Sequence, residues 1–156
     1  MMKSHMSYEA TAKHQFIKKI VDSLNAEIVL GTVTNVKEAA TWLGYTYLYI
    51  RMLEAPENYG IPPDEIADDP QLQQRRLDLI DSAAILLEKA GLIKYNRKSG
   101  FFHSTDLGKV ASYYHLNYES AQMYNEDLKP TMQDIDILGI FSRSSEFSQL
   151  IVREDE

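Results

Sequence analysis

The sequence has no cysteine among its 156 residues. A disulfide framework, a thiolate metal site and a cysteine nucleophile are therefore excluded, which agrees with a reducing compartment. No window approaches the roughly 18 uncharged apolar residues that a membrane-spanning helix needs. The opening MMKSHMSYEA lacks the apolar run of a signal peptide, and its first six residues, 1–6, are typical of a cloning remnant. We expect an intracellular protein that makes no contact with a membrane.

Nucleotide-binding motifs are absent as well. The phosphate-binding pattern GxxxxGK[ST] does not occur, because Gly108-Lys109 is followed by Val110 inside a predicted helix. Neither the dinucleotide fingerprint GxGxxG nor the nucleophile elbow GxSxG is present. We therefore expect no catalytic residue and no cofactor in this chain.

Metal and acid–base chemistry also lack a good candidate. The histidines do not follow a metal-ligand spacing such as HExxH; they are His5, His14, His103 and His115. Asp64 and Glu65 are adjacent acids in a proline-rich segment, where carboxylates are usually solvated. General acid–base catalysis would need burial and a defined partner. No metal site is predicted.

Positive charge is scarce. The net charge is −7, and residues 117–156 hold nine acidic residues against three basic ones, whereas a dedicated nucleic-acid binder usually has a basic footprint. The exception is the stretch 75–98, with six basic residues against three acidic ones. It covers a helix and a wing that touch phosphates in DNA-reading winged helices. We therefore predict nucleic-acid contacts at Arg75, Arg76, Lys94, Arg97 and Lys98. The alternative is a solvated face, or one that pairs with acids of an adjoining domain.

Apolar spacing predicts the first two helices. The first covers residues 13–30, with Gly31 as its stop. Asn35 is a good N-cap for a second helix over residues 36–54, and Glu38 completes a capping box. After residue 41 this helix has almost no polar face and must be covered on all sides. It is either a central core helix or a helix that docks one face on a partner domain.

A third helix follows residues 54–70, which hold four of the five prolines and predict a long ordered loop. The apolar stripe of QLQQRRLDLIDSAAILLEKAG predicts a helix that ends at Gly91. Two short β-runs, 92–95 and 101–104, then flank NRKSG, and Gly100 suits the left-handed position of the loop between them.

This order of elements is that of a winged helix, a helix-turn-helix variant with a β-hairpin, and predicts a mainly α fold. Ser104 or Thr105 is expected to cap the next helix, in which Gly108 allows close backbone approach. We assign residues 13–116 to the winged-helix domain.

Residues 117–156 are predicted to begin a further helical domain. Asn117 is expected to cap one helix, and Thr131 with Asp134 a second one. A short helix is expected around Glu146 and Phe147. The apolar sides of these helices do not close a core of their own.

Six stretches together carry a resemblance to a known family: NAEIVLGTV, WLGYTYLYIRML, YGI, DPQLQQRRLDLI, STDLGKVASYY and IFSRSSEF…VRED. In order and spacing they resemble the winged-helix domain and the first ratchet-domain helices of the large two-cassette superfamily 2 RNA helicases. The likeness runs from about residue 20 to 155. QQRRLDLI and VRED are most similar to the first cassette of the spliceosomal branch, which unwinds the U4/U6 duplex; the activating-signal cointegrator branch is the alternative.

The resemblance implies a non-catalytic role in pre-mRNA splicing in the nucleus. The winged helix would brace two RecA-like motor domains against the ratchet domain, while ATP and Mg²⁺ are bound elsewhere in the helicase. The implied partners are those domains, RNA and spliceosomal proteins. Residues expected at the inter-domain contacts are Trp42, Tyr45, Tyr47, Tyr49, Tyr113 and Tyr114.

Two interpretations compete with a helicase scaffold. A freestanding winged-helix regulator should dimerise and protect a DNA site. A small enzyme of unrecognised type should show convergent polar groups in a pocket.

Overall fold

The structure, a computed structural model, describes the backbone of residues 2–147 and the side chains of residues 16–147. Within these limits it contains eight α-helices, two short 3-10 helices and one β-hairpin. The elements are α1 (Met2–Leu30), α2 (Val36–Leu43), α3 (Tyr47–Glu54), a 3-10 helix (Pro56–Tyr59), α4 (Pro63–Asp68), α5 (Gln73–Lys89), β1 (Ile93–Asn96), β2 (Phe101–Ser104), α6 (Asp106–Tyr113), α7 (Tyr118–Asp127), α8 (Asp134–Ser142) and a 3-10 helix (Ser145–Phe147).

The core lies where α1, α2, α5 and the hairpin meet. Leu24 of α1, Leu43 of α2 and Leu87 of α5 are all buried there, and Phe102 of β2 closes one side. The apolar stripes of amphipathic helices therefore face one another, and the β-hairpin packs on them as a wing. The predicted winged-helix fold is confirmed.

The third helix and the hairpin are confirmed in detail. α5 ends before Gly91, whose φ of 77° is left-handed. The two strands are antiparallel, with Ile93 opposite Ser104 and Asn96 opposite Phe101. Gly100 has a φ of 75°, the conformation expected for this loop.

Gly108 allows α6 to cross the start of the wing at contact distance. A Cβ atom at this position would lie 2.1 Å from the carbonyl oxygen of Leu92. The Asn25 side chain donates a hydrogen bond to the Gly108 carbonyl at 3.1 Å, and Thr105 caps the helix by accepting from the Gly108 N–H. The predicted close approach is confirmed.

The single second helix expected over residues 36–54 is wrong, because the chain breaks into α2 and α3. Gly44 ends α2, and the Thr46 hydroxyl accepts a hydrogen bond from the Tyr49 N–H to cap α3. The break leaves Tyr45 and Tyr47 85% and 72% exposed. The interpretation as a fully covered core helix is therefore wrong as well.

Other boundaries differ from expectation. α1 begins at Met2 rather than at residue 13, since nothing in residues 2–30 is a glycine or proline that would stop it. The expected loop over residues 54–70 contains a 3-10 helix and α4. α8 is capped at Gln133, whose N–H donates to the Asp136 carboxylate at 3.2 Å, so the predicted cap at Thr131 is wrong.

The two tail helices differ from each other. α7 joins the main core through Tyr118 and Ala121, so it does not form a separate layer. α8 buries Ile140 but leaves Ile135 and Leu138 75% and 66% exposed. No helix in the described residues has the length and apolarity to cross a bilayer.

Candidate functional site

An apolar groove of about 560 Å³ lies between α1 on one side and α2 with α3 on the other. We call it the Trp42 groove. Phe16 and Ile20 line it from α1, and Trp42 and Leu48 line it from the other side. Tyr59 closes one end, with its ring centroid 5.1 Å from that of Phe16. A concave apolar surface of this kind is suited to receive a side chain from another segment.

The groove exists because α2 and α3 meet at an angle that Arg76 of α5 stabilises. Arg76 Nη1 donates to the Ala40 carbonyl at 3.0 Å, and its guanidinium lies 4.9 Å from the centre of the Tyr49 ring. A Cβ at Gly44 would come within 2.6 Å of Arg76 Nη1, so glycine leaves room for the guanidinium. A residue 32 positions beyond Gly44 thus contacts both sides of the helix break.

Two cations border the groove. Lys19 of α1 and Arg51 of α3 are among its lining residues, and no carboxylate is. The Arg51 guanidinium lies 6.0 Å from the centre of the Tyr47 ring. Hydrogen bonding to Tyr59 and Tyr47 raises the pKa of Arg51 above its usual value, so the group is always charged. The groove combines an apolar floor with positive charge at its edge.

The tyrosines expected at inter-domain contacts divide into two groups. Tyr45 and Tyr47 beside the groove are exposed, as are Tyr113 and Tyr114 at the end of α6. Tyr49 is engaged within the chain instead, because its hydroxyl donates to the Gln71 carbonyl at 2.9 Å. The structure brings Trp42 and Tyr47 together in one groove and places the Tyr113 and Tyr114 pair on a different element.

The outer face of the hairpin forms the second candidate surface, which we call the wing face. Cross-strand pairing places Lys94 opposite His103 and Asn96 opposite Phe101, and all four are exposed. A shallow groove runs along these residues and along two basic residues of the hairpin loop, Arg97 and Lys98. Cations beside an exposed aromatic ring are typical of surfaces that bind single-stranded nucleic acid.

The inner face of the hairpin fixes the wing to α5. The Tyr95 hydroxyl donates to Asp81 at 2.6 Å, and the Tyr95 N–H donates to Glu88 at 3.3 Å. Burial and the hydrogen bond to Asp81 raise the pKa of Tyr95 to about 12. The wing face is therefore presented from a fixed support.

The five residues predicted to contact nucleic acid fall into two groups, one bonded within the chain and one exposed. Arg75 donates to the Gly60 carbonyl at 3.2 Å, and Arg76 is committed to α2. Lys94, Arg97 and Lys98 are exposed, although Arg97 lies 3.8 Å from Glu88. The helix that reads a groove in DNA-binding relatives of this fold thus has its two arginines in internal contacts, and among the five predicted residues only those of the wing are exposed.

A cluster of carboxylates joins the tail to α1. Asp22 accepts a hydrogen bond from the Tyr118 N–H at 2.8 Å, and Lys18 pairs with Glu119 at 2.8 Å. Burial, and to a smaller extent the nearby carboxylates of Glu119 and Glu146, raise the pKa of Asp22 to about 6.

Glu146 completes this junction from the last 3-10 helix. It accepts from the Asn117 N–H at 3.0 Å and from the hydroxyl groups of Ser120 and Ser144. Burial alone would raise the pKa of Glu146, but these hydrogen bonds outweigh burial and lower it. Carboxylates are favourable at this place because the N-terminus of α7 carries a partial positive charge.

No three histidine, aspartate or glutamate side chains come together as a metal site in the portion of the chain that the structure describes. The VRED stretch that contributes to the family resemblance, and the side chains of the proposed cloning remnant 1–6, lie outside the described residues.

Comparison with known proteins agrees with the fold. A family model of a winged helix-turn-helix domain matches residues 13–89, and a model of the Sec63 Brl domain matches residues 104–156. Over 153 residues the chain is 56% identical to a DExH-box ATP-dependent RNA helicase of Arabidopsis thaliana. It is 54% identical to an activating signal cointegrator 1 complex subunit 3-like protein of Dictyostelium discoideum and 49% identical to the U5 small nuclear ribonucleoprotein 200 kDa helicase of Homo sapiens.

These matches define the chain as a winged-helix domain that continues into a Sec63 Brl segment. It belongs to the family of such regions in the DExH-box RNA helicases, which include the U5 small nuclear ribonucleoprotein 200 kDa helicases. The alignments cover 98% of this chain but only 7% of each of these relatives.

Sequence reasoning missed several residues of the Trp42 groove and of the junction between α1 and the tail. Lys19 and Arg51 were not singled out, because the apolar spacing predicted one unbroken helix over residues 36–54 and therefore no groove between them. Asp22 and Glu146 were also missed; each binds the start of α7 from more than 25 residues away. A carboxylate within an otherwise apolar helix stripe, such as Asp22 beside Val21, was the one available signal.

Proposed function

We propose that this chain is the non-catalytic part of an ATP-dependent RNA helicase that acts in pre-mRNA splicing in the nucleus. In this proposal it braces the RecA-like motor domains, which bind ATP and Mg²⁺, against the ratchet domain during U4/U6 unwinding. The observation that carries the proposal is the exposed aromatic surface beside the Trp42 groove, in a chain that is about half identical to helicases over nearly its whole length.

Uncovered apolar surface supports a role between other domains. Tyr45 and Tyr47 project from the α2–α3 break, and large exposed apolar patches commonly mark interaction sites. A second such face, formed by Ile135 and Leu138, lies on α8. A brace needs contacts on both sides, and the two faces belong to different parts of the chain.

The motor contact is tested by Tyr47→Ala in the complete helicase. Tyr47 makes no capping or core contact that α3 requires, so the fold should survive. We expect ATP hydrolysis stimulated by RNA to continue while the number of base pairs unwound per ATP falls. Tyr47→Phe, which keeps the ring, is the matched control and should resemble wild type. Unchanged unwinding per ATP in the alanine variant would contradict the role.

The cointegrator branch remains the alternative placement within the family. The relative that carries that name is 54% identical, against 49% for the human U5 helicase. The bracing role is the same in both, so the two placements differ in the partner complex. Co-purification of the complete protein with U5 particles, or with cointegrator subunits, would separate them.

RNA binding by the wing face is a second candidate function. Lys94 and Lys98 are exposed beside Phe101, so phosphates and a base could be bound together. Fluorescence anisotropy with single-stranded and duplex RNA at two salt concentrations tests this. Binding should weaken steeply with salt and be lost in Arg97→Ala/Lys98→Ala, but persist in the equally charged control Lys37→Ala/Lys129→Ala. Equal binding by both double variants would contradict it.

A freestanding DNA-binding regulator is disfavoured by two observations. Arg75 and Arg76 are committed to internal carbonyl groups, and the matched relatives are helicases many times the length of this chain.

A further inference from the structure

The geometry points to the Trp42 groove as the receptor for a peptide segment of a neighbouring domain that carries an apolar side chain beside a carboxylate. This inference rests on the proposed inter-domain role and names the chemistry of the partner. It follows from three features of the groove: an apolar floor, two cations at its edge and the lack of any carboxylate among its lining residues.

The floor selects an apolar side chain. Phe16, Trp42 and Leu48 converge on a space of about 560 Å³, which exceeds the volume of any single side chain. Aromatic and aliphatic lining offers few hydrogen-bond partners, so a polar occupant would lose its hydration without compensation. An aromatic or branched apolar anchor fits this environment best.

The edge selects negative charge. Lys19 and Arg51 make no ion pair with any carboxylate in the part of the chain whose side chains are described. The chain as a whole has a net charge of −7, yet no acidic residue lines this groove. A groove with two cations that have no carboxylate partner among the described side chains is complementary to a carboxylate from outside.

The Arg51 guanidinium lies near two tyrosines at the edge of the groove. It lies 6.0 Å from the centre of the Tyr47 ring, and Tyr59 at the end of the groove also interacts with it. The planar shape of a guanidinium matches a carboxylate. Lys19 approaches from α1 on the opposite side.

RNA is a poorer match for the groove. Two cations and an apolar floor offer little to a phosphate backbone, and the excess of acids in residues 117–156 opposes a polyanion. The wing face, with its clustered basic side chains, is the better surface for nucleic acid. The two surfaces would then have separate ligands.

Trp42 makes the inference directly testable, because it is the only tryptophan in the sequence. The 156-residue chain is titrated with a ten-residue peptide in which two phenylalanines are flanked by glutamates, while Trp42 fluorescence is recorded. Peptides with glutamine or lysine in place of every glutamate are the comparison. Oligouridine is titrated in parallel, and the sedimentation of the chain alone is measured.

We expect saturable binding of the glutamate peptide, weaker binding of the glutamine peptide and none of the lysine peptide. Because exposed ion pairs contribute modestly, Arg51→Gln should weaken binding about threefold and Lys19→Gln/Arg51→Gln about tenfold. The control Lys94→Gln/Lys98→Gln, which loses the same charge on the wing face, should bind as wild type.

Several results would overturn the inference. They are equal binding of the glutamate and glutamine peptides, no fluorescence change at millimolar peptide, saturation of Trp42 by oligouridine, or self-association of the chain through the groove. The proposed bracing role is tested separately: it fails if Tyr47→Ala leaves the number of base pairs unwound per ATP unchanged. A groove without preference for acids would leave that role intact.

Discussion

The winged-helix core and the helical tail are held together by different interactions. In the core, α1, α5 and the hairpin bury aliphatic side chains such as Leu24, Ile80 and Leu87 almost completely. The tail also packs Tyr118 and Ala121 on this core, but its attachment depends in addition on hydrogen bonds to the carboxylates of Asp22 and Glu146 at the start of α7. Apolar burial responds to the volume of side chains, whereas the tail junction responds to their ionisation.

The two regions therefore differ in function. A closed apolar core keeps the α2–α3 break and the wing at fixed positions. The tail contains α8, which leaves its apolar face uncovered. Each region thus offers a face to another body: the core offers the exposed tyrosines at the α2–α3 break, and the tail offers the apolar face of α8.

The largest effect should come from Gly108→Val. The new Cβ would lie 2.1 Å from the Leu92 carbonyl oxygen, a backbone atom that cannot move without displacing the wing. We expect a loss of about 4 kcal/mol in the free energy of unfolding, or failure to fold. Urea denaturation followed by circular dichroism measures it. Wild-type stability would show that α6 does not need this close contact.

The contrast between core and tail is tested by a pair of identical truncations. Leu24→Ala should cost about 3 kcal/mol because it opens a cavity in the core. Leu138→Ala on α8 should stay within about 0.5 kcal/mol, since the side chain is largely exposed. Chemical denaturation of both variants gives the comparison. Similar losses in the two variants would remove the distinction between the regions.

The tail junction should show its own pH dependence. The folded-state pKa of Asp22 is about 6, above its unfolded value of 3.8, so the folded state binds the proton more tightly. Stability should therefore fall as pH rises from 5 to 7, where Glu146 is ionised in both states.

Asp22→Asn should remove that dependence and keep the acceptor for the Tyr118 N–H. At pH 7 we expect a gain of about 1.5 kcal/mol, roughly half of what the full shift would give, because water still reaches the group. Thermal unfolding at pH 5, 6 and 7 measures it. A variant with the same pH slope as wild type would show that another group is responsible.

A smaller effect is expected at the support of the wing. Tyr95→Phe removes the hydrogen bond to Asp81 and should cost about 1 kcal/mol. Because Asp81 keeps access to water in the variant, the hairpin register should persist. Hydrogen exchange of the β1 amides reports the change. A stability equal to wild type would mean that packing against Phe102 alone holds the wing.

Local signals predicted much of this fold from the sequence. The Asn117 and Thr105 caps, the left-handed Gly100 and the close contact at Gly108 all depend on residues near one another in the chain or on the absence of a side chain. The long apolar stripe of α5 was equally direct. Such features need no knowledge of distant partners.

The missed features depend on long-range contacts. The α2–α3 break was missed although Gly44 and Thr46 are local signals for it, because the apolar pattern runs through them and the contact from Arg76 of α5 is not visible in the sequence. The hydrogen bonds of Arg75 and Arg76 to backbone carbonyl groups were also missed, because their acceptors are distant in the sequence. The Trp42 groove and its cationic edge exist because of that break, so they could not be predicted before it was seen.

The most direct test of the central claim is hydroxyl-radical footprinting of the aromatic surface in two settings. The oxidation rates of Trp42, Tyr45 and Tyr47 are measured in the 156-residue chain and in the complete helicase, with exposed wing residue Phe101 as the internal reference. If other domains cover the surface, the rates at Tyr45 and Tyr47 fall strongly in the complete helicase while Phe101 changes little. Equal rates in both settings would contradict the proposal that this region braces its neighbours through the Trp42 groove.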